Sequence, residues 1–300
     1  MLIQQHNPVF SSIMQIMIVT FLGTSAAHPI PDPLCECSNC RQARQLGGAN
    51  IRKRPSLLVN DDLLIDPGPD VMAASQQYGV PLAAVRFCLV THAHGDHLDV
   101  VHLLSRKRDA GTIGSDVLHL YASAESLQIA SEAMQDALPG SSLFSAETRR
   151  LLRLEIHPVE PQQSFMAGDY RVIAYPANHA PEMGALLYAL ESNGRAIFYG
   201  TDTAALFEGT WEAFRRHALQ FDLVILDHTN RPEHGKGGHL TASQVSAHVQ
   251  RMRHEGILKK GGRAFATHFE HEHNPAHPQL VELAKQGGYE AAYDGLVVEV

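Results

Sequence analysis

The sequence predicts an α/β chain whose two halves pack sheet on sheet with helices outside, four layers in the order αββα. Three observations predict it. Short apolar runs recur between Gly, Pro and Asp punctuation. The runs come first as hairpins and then alternate with helical stretches, twice over. At 44% hydrophobic and 19% charged, a chain of 300 residues can bury a sizeable core.

Residues 16–22 read as a buried strand that ends in Gly23-Thr24-Ser25. Residues 56–59 and 63–65 flank Asn60-Asp61-Asp62 and read as a hairpin. Residues 85–91 (VRFCLVT) form another buried strand. Strands at 119–122, 171–175, 185–191, 196–199, 223–227 and 263–267 continue the series, and 297–300 closes it. Helices are expected at 69–78, 98–105, 124–138, 206–217, 241–255 and 278–286. Thr241 and Gln244 have capping-box spacing at the start of the fifth. One domain is expected over 16–300, after an N-terminal extension at 1–15. Residues 231–238 (RPEHGKGG) form a charged, Gly-rich loop.

Composition excludes several classes. A net charge of −8 disfavours a non-specific grip on nucleic acid. The apolar stretch 13–22 has no Lys or Arg before it and is too short to span a bilayer. A cytoplasmic protein is therefore expected. Of four cysteines, Cys35, Cys37 and Cys40 fall in a C-x-C-x-x-C run. That run is too cramped for a disulfide framework and has the spacing of a metal knuckle in a reducing compartment.

The 19 histidines call for metal or acid–base chemistry. The segment Thr91-His92-Ala93-His94-Gly95-Asp96-His97 follows a buried strand directly. In extended chain, residues two apart point the same way, so His92 and His94 can bind one metal together. The chain turns at Gly95, and Asp96 and His97 approach from the other side, where they can bind a second. Nitrogen and oxygen ligands suit Zn²⁺ or Mn²⁺.

An H-x-H-x-D-H run after an apolar strand resembles the signature of the metallo-β-lactamase superfamily. Asp66-Pro67-Gly68, Ala177-Asn178-His179, Gly200-Thr201-Asp202-Thr203 and Ala266-Thr267-His268 resemble its further elements, in order. The resemblance implies that superfamily's αββα fold and a dinuclear hydrolase. His92, His94 and His179 would hold one metal, Asp96, His97 and His268 the other, with Asp202 bridging. Asp66 would accept a hydrogen bond from a ligand histidine and fix its ring. Asp227 would stand behind the ligands. Two metals sharing a carboxylate and a water make a hydroxide near neutral pH, which would attack phosphorus.

The cysteine trio, placed after Gly23-Thr24-Ser25 and before Arg52-Lys53-Arg54-Pro55, is similar to the PhnP-type phosphodiesterases of the carbon–phosphorus lyase pathway. Those enzymes open cyclic phosphodiesters such as 5-phosphoribosyl 1,2-cyclic phosphate. Thr267-His268-Phe269-Glu270-His271 has that family's histidine spacing. It implies a structural zinc on Cys35, Cys37, Cys40 and His271, while Cys88 reads as inert core. Gly238-His239-Leu240-Thr241 resembles the G-H-[SL]-T of tRNA 3′-processing members. A histidine at a helix N-terminus suits an anionic phosphate, so His239 is assigned to phosphate binding or to protonating the leaving group.

The expected function is metal-dependent hydrolysis of a small, cyclic phosphodiester. The competing readings are a tRNase Z-like 3′-processing endonuclease, a lactonase or thioesterase of the same fold, and a non-catalytic metal-stapled scaffold. The expected partner is a small phosphodiester; no membrane is expected, nucleic acid is disfavoured, and a homodimer stays open. Arg52, Lys53 and Arg54 read as a solvated basic turn. No motif claims His6, His157, His217, His248, His254, His273 or His277, which read as surface or core residues.

Overall fold

The computed structural model of the chain describes residues 16–107, 116–229 and 238–300. The readings made on 1–15 and on nearly all of the Gly-rich loop lie outside the described residues.

Two seven-stranded sheets form from the apolar runs. The first has the order β14 (Val297–Glu299), β1 (Ile18–Gly23), β2 (Ser56–Val59), β3 (Leu63–Ile65), β4 (Phe87–Leu89), β5 (Leu118–Ala122), β6 (Leu154–Pro158). The second runs β13 (Glu290–Ala291), β12 (Leu258–Thr267), β11 (Phe221–Asp227), β10 (Arg195–Gly200), β9 (Leu186–Ser192), β8 (Tyr170–Pro176), β7 (Ser164–Ala167). Strands β3 to β6 are parallel, as are β10 to β13. Parallel strands end together, so the carboxyl ends of each set lie at one edge of its sheet. That edge is where α/β sheets carry ligands.

Phe21, Leu57, Ile65, Tyr188, Ile197 and Phe265 pack between the two sheets. Helices α6 (Glu208–Arg216), α7 (Ala242–His254) and α8 (His277–Gly287) cover the outer face of the second sheet through Trp211, Phe214, Val245 and Leu280. Helices α2 (Val71–Tyr78), α3 (Val100–Leu104) and α4 (Ala124–Ala137) cover the first through Val71, Leu103, Leu127 and Met134. These are the four layers the alternation of runs predicts. Among the described residues, no helix is long and apolar enough to cross a membrane.

Local signals fix the ends of several elements. The Thr241–Gln244 capping box closes in both directions at the start of α7. Asn60 takes the left-handed turn between β2 and β3 (φ 51°), and its Oδ1 accepts from Ile18 N at 2.9 Å. Two helices and three strands were not foreseen. Helix α1 (Ser38–Leu46) buries only Cys40 and Ala43, and α5 (Ala146–Leu152) spans two turns, so neither has a readable apolar period. Strands β6 and β7 are sheet edges with exposed Glu155, Ser164 and Met166. Strand β13 has only two residues.

Candidate metal centre

Every residue predicted to ligate at the strand ends is brought to one edge of the sandwich. His92 follows β4, Asp202 follows β10, Asp227 ends β11 and His268 follows β12. Three of the connecting residues take the left-handed region that side chains disfavour: Asp66 (φ 57°), Asp202 (φ 55°) and His268 (φ 62°). Each costs of order 1–3 kcal/mol, which the surrounding packing must overcome. The turn swings each side chain off the strand direction and over the edge. Gly68 serves the same end, because a Cβ there would stand 2.1 Å from Asp96 O. Only glycine lets the loop that carries Asp96 lie against the turn after Asp66.

The side chains converge into two overlapping groups. His92, His94, His179 and Asp202 form one, and Asp96, His97, Asp202 and His268 the other, each with ligand atoms within 4.8 Å of one another. Asp202 belongs to both. Its Oδ2 lies 3.1 Å from His92 Nε2 and 2.9 Å from His97 Nε2. His92 Nε2 and His94 Nδ1 are 2.6 Å apart.

This arrangement fits divalent cations. Among the described residues, His97 Nε2, His268 Nε2 and Asp202 Oδ1 are buried and, although charged neighbours stand close, none makes a hydrogen bond of good geometry. Buried polar atoms rarely go unpaired unless something else satisfies them. The electrostatics point the same way. Burial, with His97 beside it, drives His92 down to about 3. Burial works against charge on Asp202, yet His268, His92 and His97 outweigh it and hold the carboxyl well below the usual range. Burial likewise opposes a charged His97, yet Asp96, Asp66 and Asp202 hold it well above the ordinary imidazole value.

Behind the ligands, Asp66 is fully buried and meets His97 Nδ1 at 2.9 Å. It also accepts from Thr91 N at 2.8 Å and Thr91 Oγ1 at 3.0 Å. Thr91 Oγ1 in turn lies 3.1 Å from His92 Nδ1. On the opposite side Thr229 Oγ1 stands 2.9 Å from His268 Nδ1 and 3.1 Å from His239 Nδ1. Thr91 was assigned no role from the sequence, although it adjoins His92 of a quoted motif, and Thr229 lies two residues after Asp227.

His239 reaches the same edge. Its Nδ1 is 2.9 Å from Asp227 Oδ2 and 3.1 Å from Asp202 Oδ1. The Asp227 carboxylate requires a proton on Nδ1, so Nε2 carries a proton as well only when the ring is an imidazolium. Gly238 allows this approach, since a Cβ there would meet Asn178 O at 2.0 Å. Asp227 therefore stands against His239 more closely than against His268 Nδ1, at 3.8 Å. His94, Asp96, His179, Asp202, His239 and His268 line a cleft of about 290 Å³.

Cys35, Cys37, Cys40 and His271 form a separate group, also within 4.8 Å. His271 Nδ1 lies 3.5 Å from Cys37 Sγ and 3.8 Å from Cys35 Sγ. About 3.6 Å is the edge that tetrahedral zinc–sulfur and zinc–nitrogen bonds prescribe. Burial resists ionisation of Cys37, but Cys40 N–H and His271 outweigh it and bring the thiol to about 6. Cys88 is fully buried, and burial pushes its thiol up. The basic turn is not solvated. Arg52 is buried over the Phe269 ring and donates to Thr24 Oγ1 and Ala292 O, each at 2.7 Å. Arg54 grips both oxygens of Asp70 at 2.8 Å. These residues brace the fold, because burying a guanidinium demands such partners.

A family profile described as the beta-lactamase superfamily domain matches residues 62–269. A UPF0173 protein of Pyrococcus furiosus is 26% identical over 138 residues, 46% of this chain and 50% of that protein. The chain thus spans about half the length of the curated relative it matches. The crystal structure of a diphosphatase from the PhnP family superposes with a TM-score of 0.71 at 21% identity, covering 95% of this chain and 98% of that one. The short form of human tRNase Z superposes with a TM-score of 0.62 at 17% identity, covering 94% and 98%. Both likenesses show the fold.

Proposed function

The chain belongs to the β-lactamase superfamily, and from that premise we propose that it is a metal-dependent hydrolase of a small, cyclic phosphodiester. The observation that carries this reading is the sharing of Asp202 by two four-residue groups at one cleft. His92, His94, His179 and Asp202 would hold one divalent cation, Zn²⁺ or Mn²⁺, and Asp96, His97, His268 and Asp202 the other. When bound, such a pair supplies Lewis acidity toward phosphoryl oxygens and an activated water.

The chain's own residues supply the rest. Asp66 and Thr91 orient the His97 and His92 rings. Asp227 holds the Nδ1 proton of His239 and stabilises its imidazolium, which protonates the departing alkoxide from Nε2 and is left neutral. Among the described residues, no Lys or Arg lines the cleft. That favours a small diester over a polyanionic RNA, which needs a basic track. The Cys35, Cys37, Cys40 and His271 group would take a structural zinc, since a closed four-ligand set leaves no position for substrate. Three thiols kept ready for an ion fit the reducing cytoplasm.

A second reading is hydrolysis of a diphosphate anhydride, supported by the likeness to the PhnP-family diphosphatase. The test is Mn²⁺- and Zn²⁺-dependent turnover of a ribose 1,2-cyclic phosphate, a 2′,3′-cyclic nucleotide, a diphosphate, a phosphomonoester and a lactone side by side. Activity confined to the cyclic diesters is expected. Activity on the diphosphate alone selects the second reading, and activity on the lactone alone rejects both.

A further inference from the structure

We propose that His119, Glu155 and His157 form another divalent-cation site, at the β5–β6 edge of the first sheet and apart from the cleft. The parallel register sets His119 opposite Glu155 and Tyr121 opposite His157. Glu155 and His157 are two apart on one strand, so they share a face. His119 Nδ1 lies 3.0 Å from His157 Nε2 and 3.4 Å from Glu155 Oε2. All three ligand atoms fall within 4.8 Å of one another. Two nitrogens bound to one ion at about 2.1 Å in tetrahedral geometry stand about 3.4 Å apart. A small opening of the pair admits the ion.

The rings are held for this by stacking. His157 lies on Tyr121 with centroids 4.4 Å apart and planes 16° apart. Tyr121 stacks in turn on Phe165 at 4.8 Å. His119 stacks on Phe87 at 5.6 Å. Aromatic faces fix ring planes while leaving the nitrogens at the rim. The side chains of His119 and Glu155 are 31% and 59% exposed, so water completes the coordination. Two imidazoles and one carboxylate select Zn²⁺, Ni²⁺ or Cu²⁺ over Mg²⁺ or Ca²⁺.

The site is separate from the cleft, which none of the three residues lines. An ion there would tie β6, a sheet edge, to β5.

The test is calorimetric titration of Zn²⁺ into protein already replete at its Asp202 and cysteine groups. One further equivalent is expected. His119→Gln and His157→Gln should each weaken it about tenfold or more, with turnover in the cleft unchanged. Glu155→Gln alters an exposed side chain without disturbing the fold and should also weaken it about tenfold. No uptake by the replete native protein, or undiminished affinity in Glu155→Gln, would overturn the proposal.

Discussion

His239 Nδ1 stands 2.9 Å from the Asp227 carboxylate, which is itself fully buried. Asp227 is fixed by donors from Thr229 N at 2.8 Å and Thr203 N at 3.2 Å. Replacing it with asparagine keeps the shape but removes the carboxylate charge that stabilises the imidazolium. Asp227→Asn is expected to lower kcat about 10²-fold on an alkyl diester, with both cations retained. The loss should shrink on a nitrophenyl leaving group, which departs without a proton. Equal losses on both substrates would remove the acid role from His239.

Asp202 is the residue common to both ligand groups. Asp202→Ala is expected to lose a cation and nearly all turnover. Metal analysis and steady-state kinetics on the same preparation check this. Full activity with two cations bound rejects the shared-carboxylate assignment.

Gly68 admits no side chain without displacing Asp96 O, 2.1 Å from where its Cβ would stand. Moving a ligand by about 1 Å costs about 10²-fold in rate. Gly68→Ala should show that loss and a weaker second cation, while its unfolding transition stays cooperative.

Cys37 caps α1 and faces His271, so the knuckle ties the N-terminal loop to the segment just after His268. Cys37→Ala is expected to lower Tm by about 3–5 °C, as a loss of about 2–3 kcal/mol does in a domain of this size. Turnover per folded molecule should change little. A variant with native Tm and less kcat would make the knuckle catalytic.

Asp294 accepts from Thr24 Oγ1 and Lys53 N, each at 2.6 Å, and Arg52 donates to the same Thr24 hydroxyl. Burial outweighs these donors and pushes its carboxyl up from 3.8 to about 6. The folded chain keeps this proton until about pH 6, whereas the unfolded chain releases it near pH 4. Its contribution to stability is complete below about pH 4 and is lost as pH rises through about 6. Two units correspond to at most about 3 kcal/mol. In urea titrations the native protein should therefore gain about 2 kcal/mol on Asp294→Asn between about pH 7 and about pH 4. A pH-independent difference between them contradicts the shift.

Much of this was legible because the chemistry sits at strand ends. Buried strands announce themselves as apolar runs, and a histidine or aspartate just beyond one has few structural reasons to be there. His92, Asp202 and His268 are such cases. Arg52 was misread because a charge in sequence says nothing about the Phe269 ring above it or the carbonyl that receives its proton. Thr91 and Thr229 were passed over because a hydroxyl carries no spacing signature; only the folded chain shows which imidazole it meets. The edge strand β6 escaped for a related reason. Its alternation is spoiled by the same His157 and Glu155 that give the edge its character.

β1 pairs with β14, joining Ile18 to Glu299 across nearly the whole chain. Two strands far apart in the described sequence are thus neighbours. Without β14, β1 offers an unpaired edge, a template for association with other chains. The first sheet is complete only once β14 has docked, and loss of residues 297–299 would leave that edge open.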